Sequence, residues 1–414
     1  MNRLEQSGVA IVGQGYVGLP LAVICVKSGF VVTGIDIDAN RVAALNAGVS
    51  HIEDVTDGQV LEMVSSGSYQ GTTDFSKIMG SGVVIIAVPT PLDSHRKPDL
   101  KSLEGAVRSV APHLNPGTLL ISESTSYPGT ARELILPILM EVLGEGVNAI
   151  DIASAPERVD PGNEQYHHRN TPRIVAGLTA SATKRAAEFY RNFTDTVIEV
   201  ASPEIAEAAK LLENTFRQVN IALVNEIAII SHKLGIDVHE VIEAAATKPY
   251  GYMKFLPGAG VGGHCIPVDP SYLSWRATSV GAKARFIDLA NEVNLEMPKY
   301  VTGRLIERLH AKGFASGAVA ILGVAYKAGV GDVRETPADG VADALETAGY
   351  LVRWQDPLVA SWRGGHSTGP TSDLVGAIVV TAQPGLEVLK YVALNIPILD
   401  CTGAFRGSDG VEQL

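Results

Sequence analysis

Residues 260–270 read GVGGHCIPVDP and set a thiol, an imidazole and a carboxylate beside a run of glycines. Glycine there leaves room for a ligand to reach the backbone, and Pro267 and Pro270 stiffen the exit. Cys265 in such a loop reads as a nucleophile, and Asp269, four residues on, could bind water or orient a partner. Zinc is the rival use of His264 and Cys265. No second Cys/His pair lies at finger spacing, so no metal is expected. His167 and His168, adjacent in sequence, read as surface polar residues.

Lys210 and Asn214 are four residues apart in a stretch free of Gly and Pro, so on a helix they share one face. Two readings stand. Inside an apolar helix the pair needs a polar cavity, where a desolvated lysine can act as base or oxyanion partner. Alternatively, the face is solvated near the helix start.

Gly13-x-Gly15-x-x-Gly18 follows the apolar run 9–12, precedes a helix-compatible stretch over 19–28, and is followed by Asp36 at the end of a second apolar run. The first Gly permits a tight turn, the second lets the backbone approach a pyrophosphate, and the third lets helix pack on strand. The pyrophosphate would sit on amides at the helix N-terminus. Asp36 can accept both ribose hydroxyls and would repel a 2′-phosphate, so the motif predicts NAD rather than NADP. Arg41 either flanks the adenine or is a solvated helix residue.

The segments around Glu123–Gly129 and 155–158 follow strands, where loops carry sites in open parallel sheets; ordinary turn chemistry is the plain alternative. Lys327, Asp332, Arg334 and Glu335 follow a strand of the C-terminal part. They supply either a basic pocket or a solvated charge cluster.

The elements that must position these residues follow from the pattern. Apolar runs at 9–12, 31–35, 83–88 and 119–122 alternate with helical patterns, which predicts a parallel sheet covered on both faces. Ser202-Pro203-Glu204 starts a helix, and no Gly or Pro follows until Gly235. Its middle, 219–230, is apolar on nearly every face, as in a helix buried between domains or subunits. After a helical region near 283–310, strand patterns recur at 318–324, 351–354, 377–381 and 397–399. VAIVG (9–13) and VAILG (319–323) are near copies, so two doubly wound domains joined by the long helix are expected, with chance similarity as the alternative.

The 414 residues are 46% hydrophobic and 19% charged, enough to fill real cores and too apolar for a disordered chain. A net charge of −12 disfavours nucleic acid and anionic membranes, so an anionic ligand needs a local basic pocket. Cys25, Cys265 and Cys401 cannot form a disulfide framework. A short polar start and no apolar stretch long enough for a bilayer lead to the expectation of a soluble cytoplasmic protein.

Together the motifs resemble those of the UDP-glucose/GDP-mannose dehydrogenase family over essentially the full length. The matching segments are GQGYVGLP (13–20), VPTP (88–91), ESTSYPGT (123–130), APER (155–158), AKLLENTFR (208–216), GVGGHCIPVDP (260–270) and YKAGVGDVRETP (326–337). The GGHCIPVDP form is similar to the branch acting on UDP-N-acetylhexosamines. His264 and Val268 stand where the UDP-glucose branch carries Ser and Lys, and Pro161 occupies the family's other acid position.

The resemblance implies an α/β fold of two Rossmann-like doubly wound parallel-sheet domains joined by a long central helix. It divides into an NAD-binding domain (1–200), a central dimerisation domain with the cysteine loop (201–300) and a UDP-sugar domain (301–414). It implies a four-electron oxidation of a sugar C6 alcohol to a carboxylate with two NAD⁺, in polysaccharide biosynthesis, with UDP-N-acetylglucosamine as first substrate and UDP-N-acetylmannosamine or UDP-glucose as second. A homodimer through the central helix is implied as well.

By position, Cys265 matches the nucleophile, Lys210 and Asn214 the oxyanion pair, and Asp269 the acid that handles protons with Lys210. Glu157 matches the proton-handling Glu and Thr125 the water-binding Thr. Gly13, Gly15, Tyr16, Val17, Gly18, Asp36, Arg41, Thr90 and Glu123 would line the cofactor. Arg158, Lys210, Asn214, Lys254, Gly258, Gly262, Lys327 and Arg334 would line the substrate. The fold alone also allows a two-electron β-hydroxyacid dehydrogenase or a non-catalytic NAD-sensing regulator, neither of which needs Cys265.

Overall fold

The computed structural model describes residues 8–160, 163, 165–263 and 265–414. Pro161 and His264 lie outside the described residues, as does the polar start of the chain. The chain forms two compact units, Met1–Glu213 with Trp275–Gly281, and Asn214–Ser274 with Ala282–Leu414.

In the first unit, β1 (Gly8–Val12), α1 (Gly18–Lys27), β2 (Val32–Ile35), α2 (Ala39–Asn46), α3 (Asp57–Ser65) and β3 (Tyr69–Thr72) wind one way. β4 (Ser81–Ile86), α4 (Lys101–Val110), β5 (Leu119–Ser122), α5 (Leu136–Leu143), β6 (Asp151–Ser154), β7 (Arg173–Gly177), α6 (Ala180–Tyr190) and β8 (Val197–Glu199) wind the other. Among the described residues the sheet runs β3-β2-β1-β4-β5-β6-β7-β8. Its order reverses between β1 and β4, the kind of place where open α/β sheets bind ligands. Val9, Ile11, Val83 and Ile85 pack into one core, and Ala10, Val12, Val84 and Ile86 into another. Successive side chains point to opposite faces, so a sheet covered on both sides demands unbroken apolar strands.

One strand departs from the expected parallel sheet. β7 runs antiparallel to β6, with Ser154 opposite Ala176. The described residues between them, within 155–172, form no helix. Without a crossover helix the chain turns back beside the strand it has just left. The edge strands β3 and β8 are short and carry polar residues, which hid them from the apolar pattern.

α7 (Pro203–Leu234) is one continuous helix of 32 residues, as the absence of Gly and Pro predicts. It is not enclosed on all sides by its own chain: Phe216, Leu223 and Ile230 remain 48%, 52% and 45% exposed. Their spacing of seven puts Phe216, Leu223 and Ile230 on one face.

The second unit continues α7 with α8 (Val238–Ala246), most of α9 (Asp269–Ser279) and α10 (Arg285–Ala311). Then follow β9 (Ala318–Leu322), α11 (Pro337–Thr347), β10 (Leu351–Gln355), β11 (Leu374–Val379), α12 (Val388–Val392), β12 (Ile398–Asp400) and β13 (Val411–Gln413). The sheet order is β10-β9-β11-β12-β13 among the described residues, with every pair parallel. β9 thus sits between its successors as β1 does, and the internal echo of VAIVG and VAILG is a repeat of topology. No helix among the described residues is long and apolar enough to cross a membrane.

Candidate active site

The turn after β1 is built as the glycine spacing requires. Gly13 has φ +91°, and a Cβ there would press on the Ala87 carbonyl. A Cβ on Gly18 would overlap the Gly13 carbonyl oxygen, whereas one on Gly15 would meet nothing within 4 Å. Two glycines therefore serve close packing of the chain on itself, and the third faces open space. Tyr16 and Val17 are half-buried beside it, and no side chain caps the first turn of α1. Gln14, unnoticed in the sequence, is fully buried: its Nε2 donates to the Ile11 carbonyl at 2.9 Å and its Oε1 accepts from the Tyr69 hydroxyl at 2.9 Å.

Asp36 lies just past β2 and is buried. Its Oδ2 accepts from Gln14 N–H at 2.9 Å and from Arg41 at 2.9 Å, and its Oδ1 accepts from Asp38 N–H at 3.0 Å. Burial opposes its ionisation, but these amides and Arg41 outweigh burial and hold the carboxyl below its usual range. Open space at Gly15, uncapped helix amides and a carboxylate at the second strand's end together fit a dinucleotide with a free ribose diol. Arg41 is engaged with Asp36 rather than merely solvated.

The ends of β5 and β6 carry a buried charge cluster. Arg173 pairs with Glu157 at 2.7 Å and with Glu123 at 3.4 Å, and its guanidinium lies over the Tyr190 ring at 4.7 Å. The Tyr190 hydroxyl donates to Glu123. Arg173 opens β7, and because β7 is antiparallel its first residue stands at the edge where β5 and β6 end. Sequence reasoning missed it because nothing in NTPRIVAG marks a reversed strand.

Burial pushes Glu123 up to about 7, Glu157 adding to the rise and Arg173 opposing it. Burial also opposes ionisation of Glu157, but Arg173, His168 and two backbone amides hold it far below the usual carboxylate range. Those amides, of Arg158 and Val159, donate to Glu157 Oε1 at 2.6 and 2.8 Å. His168 is no surface residue: its Nδ1 lies 3.4 Å from Glu157 Oε2, and burial lowers its pKa.

Thr90 Oγ1 donates to the Thr125 carbonyl at 2.6 Å, which joins two of the predicted loops. Arg158 holds Glu213 of α7 through Nε at 3.1 Å and Nη2 at 2.6 Å.

On α7, Lys210 is 7% and Asn214 1% exposed, which overturns the solvated-face alternative. In the second unit Asn214 Nδ2 donates to Asp269 Oδ2 at 2.5 Å. Cys265 is exposed, and its carbonyl accepts from Asp269 N–H at 2.9 Å, so the thiol sits on the turn that enters α9. The loop before it is held from below. Asn225, fully buried on α7, accepts from Gly258 N–H at 2.9 Å and donates to Asn294 Oδ1 at 2.9 Å.

The loop glycines divide in purpose. A Cβ on Gly262 would come within 2.8 Å of both Pro337 and Tyr326, and one on Gly263 within 2.8 Å of the Tyr326 ring. Close packing, not ligand access alone, demands those two. Gly258 has no such neighbour, and Lys254 is exposed.

After β9, the loop 323–336 carries Lys327 and Arg334. Arg334 forks onto Asp332, Nε donating at 2.9 Å and Nη2 at 2.6 Å to Oδ2, and Lys327 is half-buried. Buried Gln383 splints the loop, accepting from Gly329 N–H at 2.8 Å and donating to the Val330 carbonyl at 2.8 Å. The predicted residues thus fall into two sets. The first unit holds the dinucleotide turn, Thr90, Glu123, Thr125, Glu157 and Arg158; the second holds Cys265, Asp269 and Asn214 with the loops of Gly258 and Lys327.

Three family models match in order: the UDP-glucose/GDP-mannose dehydrogenase family NAD binding domain over residues 7–194, its central domain over 204–296 and its UDP binding domain over 320–391. The chain is 40% identical to UDP-N-acetyl-D-mannosamine dehydrogenase of Pyrococcus horikoshii, over 94% of this chain and 92% of the relative. It is 37% identical to UDP-N-acetyl-D-glucosamine 6-dehydrogenase of Pseudomonas aeruginosa, over 88% of this chain and 86% of the relative. A solved structure of UDP-D-ManNAc dehydrogenase from Pyrococcus horikoshii superposes with a TM-score of 0.89 at 34% identity, covering 98% of both chains. With a dinucleotide turn, a thiol loop and a second doubly wound sheet that all coincide with these matches, the chain belongs to the UDP-glucose/GDP-mannose dehydrogenase family and is an NAD-dependent oxidoreductase.

Proposed function

We propose that the protein oxidises the C6 alcohol of a UDP-N-acetylhexosamine to a carboxylate, through a covalent sugar adduct on Cys265. One observation carries the reading: an exposed Cys265 on the turn whose next residues include Asp269, itself bonded to Asn214 one turn beyond buried Lys210. A simple alcohol dehydrogenase needs no thiol. UDP-N-acetylglucosamine and its mannosamine epimer are the candidate substrates, and the names of the two relatives divide between them.

NAD⁺, when bound, accepts the hydride of each oxidation. The C6 hydroxyl gives up its proton as the first hydride leaves, which yields an aldehyde. The Cys265 thiolate adds to that carbonyl and forms a thiohemiacetal, whose oxygen Lys210 and Asn214 steady. Loss of the second hydride and the hydroxyl proton leaves a thioester. Water then attacks, the C–S bond breaks and the thiol returns. Thr125 holds that water, and Glu157, kept ionised by Arg173, orients it. Asp269 exchanges protons with Lys210 and water. Lys327 meets the diphosphate, and the loop of Gly258 borders the sugar.

In this reading residues 1–200 serve the cofactor, 201–300 the thiol and pairing of subunits, and 301–414 the UDP-sugar. The open apolar stripe of Phe216, Leu223 and Ile230 is the pairing face. Sedimentation of a Leu223→Asp variant should show monomers where the wild type shows dimers.

The test is a turnover panel of UDP-sugars with purified protein, counting NADH per sugar consumed. Two NADH per UDP-N-acetylhexosamine is expected. One per sugar would assign a two-electron dehydrogenase, and none a nucleotide-binding regulator.

A further inference from the structure

Glu207 lies on α7 three residues before Lys210 and is only 3% exposed. Its two oxygens serve different donors. Oε2 accepts from Gly129 N–H at 2.7 Å, and Oε1 from Ala131 N–H at 3.2 Å. The Thr130 amide also favours its charge, and the Glu204 carboxylate opposes it. Burial outweighs these amides and pushes the carboxyl up to about 7.

A carboxylate buried on backbone amides is a costly choice. Glutamine would be cheaper to bury, yet it offers a single acceptor oxygen. Only a carboxylate can accept at both ends at once. The amides it takes belong to the turn 127–130 and to Ala131, where the chain begins the π-turn (Ala131–Ile135) that leads into α5. Donors at such a start have no partner within the helix, and its positive end favours a carboxylate.

The same loop begins at Glu123 and Thr125. There it is pinned by the Thr90 hydroxyl on the Thr125 carbonyl at 2.6 Å and by the Ser124 hydroxyl on the Val88 carbonyl at 2.8 Å. Its far end is pinned by a side chain from the helix that bears Lys210, one turn away.

We propose that Glu207 is a positioning residue that clamps the Thr125 loop to α7 and so sets the spacing between Thr125 and Lys210. The proposal rests on the reading that Thr125 and Lys210 serve the oxidation.

The experiment uses the full chain. Glu207→Gln removes one acceptor from the clamp, and Glu207→Leu removes both while keeping a side chain of similar size. Thermal melting identifies folded variants. Hydrogen exchange in peptides spanning 123–135 and steady-state turnover are then measured.

Exchange should quicken in that loop alone, with β1 and β4 unchanged. kcat should fall by about tenfold to a hundredfold, the scale of a misplaced catalytic group, with KM for the UDP-sugar little altered. Wild-type exchange in the loop of a folded variant would overturn the clamp. Faster exchange with wild-type kcat would overturn its link to catalysis. A failure of the underlying reading looks different: Lys210→Ala and Thr125→Ala would then keep full turnover while Glu207→Gln still loosened the loop.

Discussion

Asp36 and Asp356 hold equivalent places in the two sheets. Each lies just past the strand beside the first strand of its unit, and each accepts the amide that follows the turn glycine: Gln14 N–H at 2.9 Å for Asp36, Val324 N–H at 2.8 Å for Asp356. The turn glycines match as well, since Gly13 N–H donates to Ile35 O and Gly323 N–H to Gln355 O, both at 2.8 Å. The difference lies in what else surrounds each carboxylate. Each takes the amide two residues on, Asp38 N–H at 3.0 Å and Leu358 N–H at 2.9 Å, but Asp356 takes the Ala325 amide at 3.1 Å as well and is spent on backbone donors. The Asp36 oxygen that takes the Gln14 amide is shared instead with the Arg41 side chain, which is about a third exposed.

Asp36→Ala should therefore weaken NAD binding by about tenfold to a hundredfold, the worth of one or two charged hydrogen bonds, and leave the second unit's stability alone. Asp356→Ala should leave NAD affinity unchanged and lower the melting temperature, at about 1–3 kcal/mol for each orphaned buried amide. Titration calorimetry and melting on both variants check the pair; the opposite pattern would assign the ribose to another group.

The glycine turn offers a second separation of folding from binding. A methyl group at Gly18 would overlap the Gly13 carbonyl, whereas one at Gly15 meets open space. Gly18→Ala should destabilise the first unit by about 1–3 kcal/mol or more through overpacking. Gly15→Ala should melt like the wild type yet bind NAD at least about tenfold more weakly, because the lost interaction is with pyrophosphate. Equal affinity in a folded Gly15→Ala protein would place the pyrophosphate elsewhere.

Replacing the thiol tests the covalent step. Cys265→Ser should cut acid formation by a factor on the order of 10³ or more, as removal of a nucleophile does elsewhere. The variant should still bind NAD through the first unit. Mass spectrometry of a stalled wild-type reaction should show sugar on Cys265, and undiminished acid output from the serine variant would remove the adduct from the mechanism.

Glu123 gives a pH dependence whose sign is fixed by burial. Its folded pKa is raised to about 7, whereas an unfolded glutamate titrates near about 4.3. Between those values the folded chain holds the extra proton. The contribution is thus full below the unfolded value and is lost as pH rises through about 7. Glu123→Gln, which keeps an acceptor for Tyr190, does not incur that loss. Its melting temperature relative to wild type should climb from pH 5 to pH 8; a constant difference would mean the carboxyl titrates normally.

How far the sequence could be read depended on whether a residue's job is local. Gly13, Gly15, Gly18 and Asp36 act within one strand–turn–helix–strand unit, and their spacing announced them. The alternation of apolar runs located β1, β4, β5 and β9, and the lack of helix breakers located α7. Arg173, Gln14, Gln383, Asn225 and Glu207 act across 16 to 78 positions of chain, and such polar side chains look like surface until packing encloses them. His168 also looks like surface in the sequence, since nothing in the pattern shows that the β6–β7 connection folds back on itself and brings it against Glu157. Gly262 was read as room for a ligand because Tyr326, the ring that crowds its neighbourhood, is distant in sequence.

The backward course of β7 has a consequence for how this scaffold can change. A rim made of strand ends normally receives its side chains from the loops that leave it, so lengthening a loop moves the chemistry. Here the guanidinium arrives from the opposite direction, anchored by pairing on both flanks of its strand. The return that delivers it can gain or lose residues, and so reshape that rim, while the positive charge that disciplines two acids stays where it is.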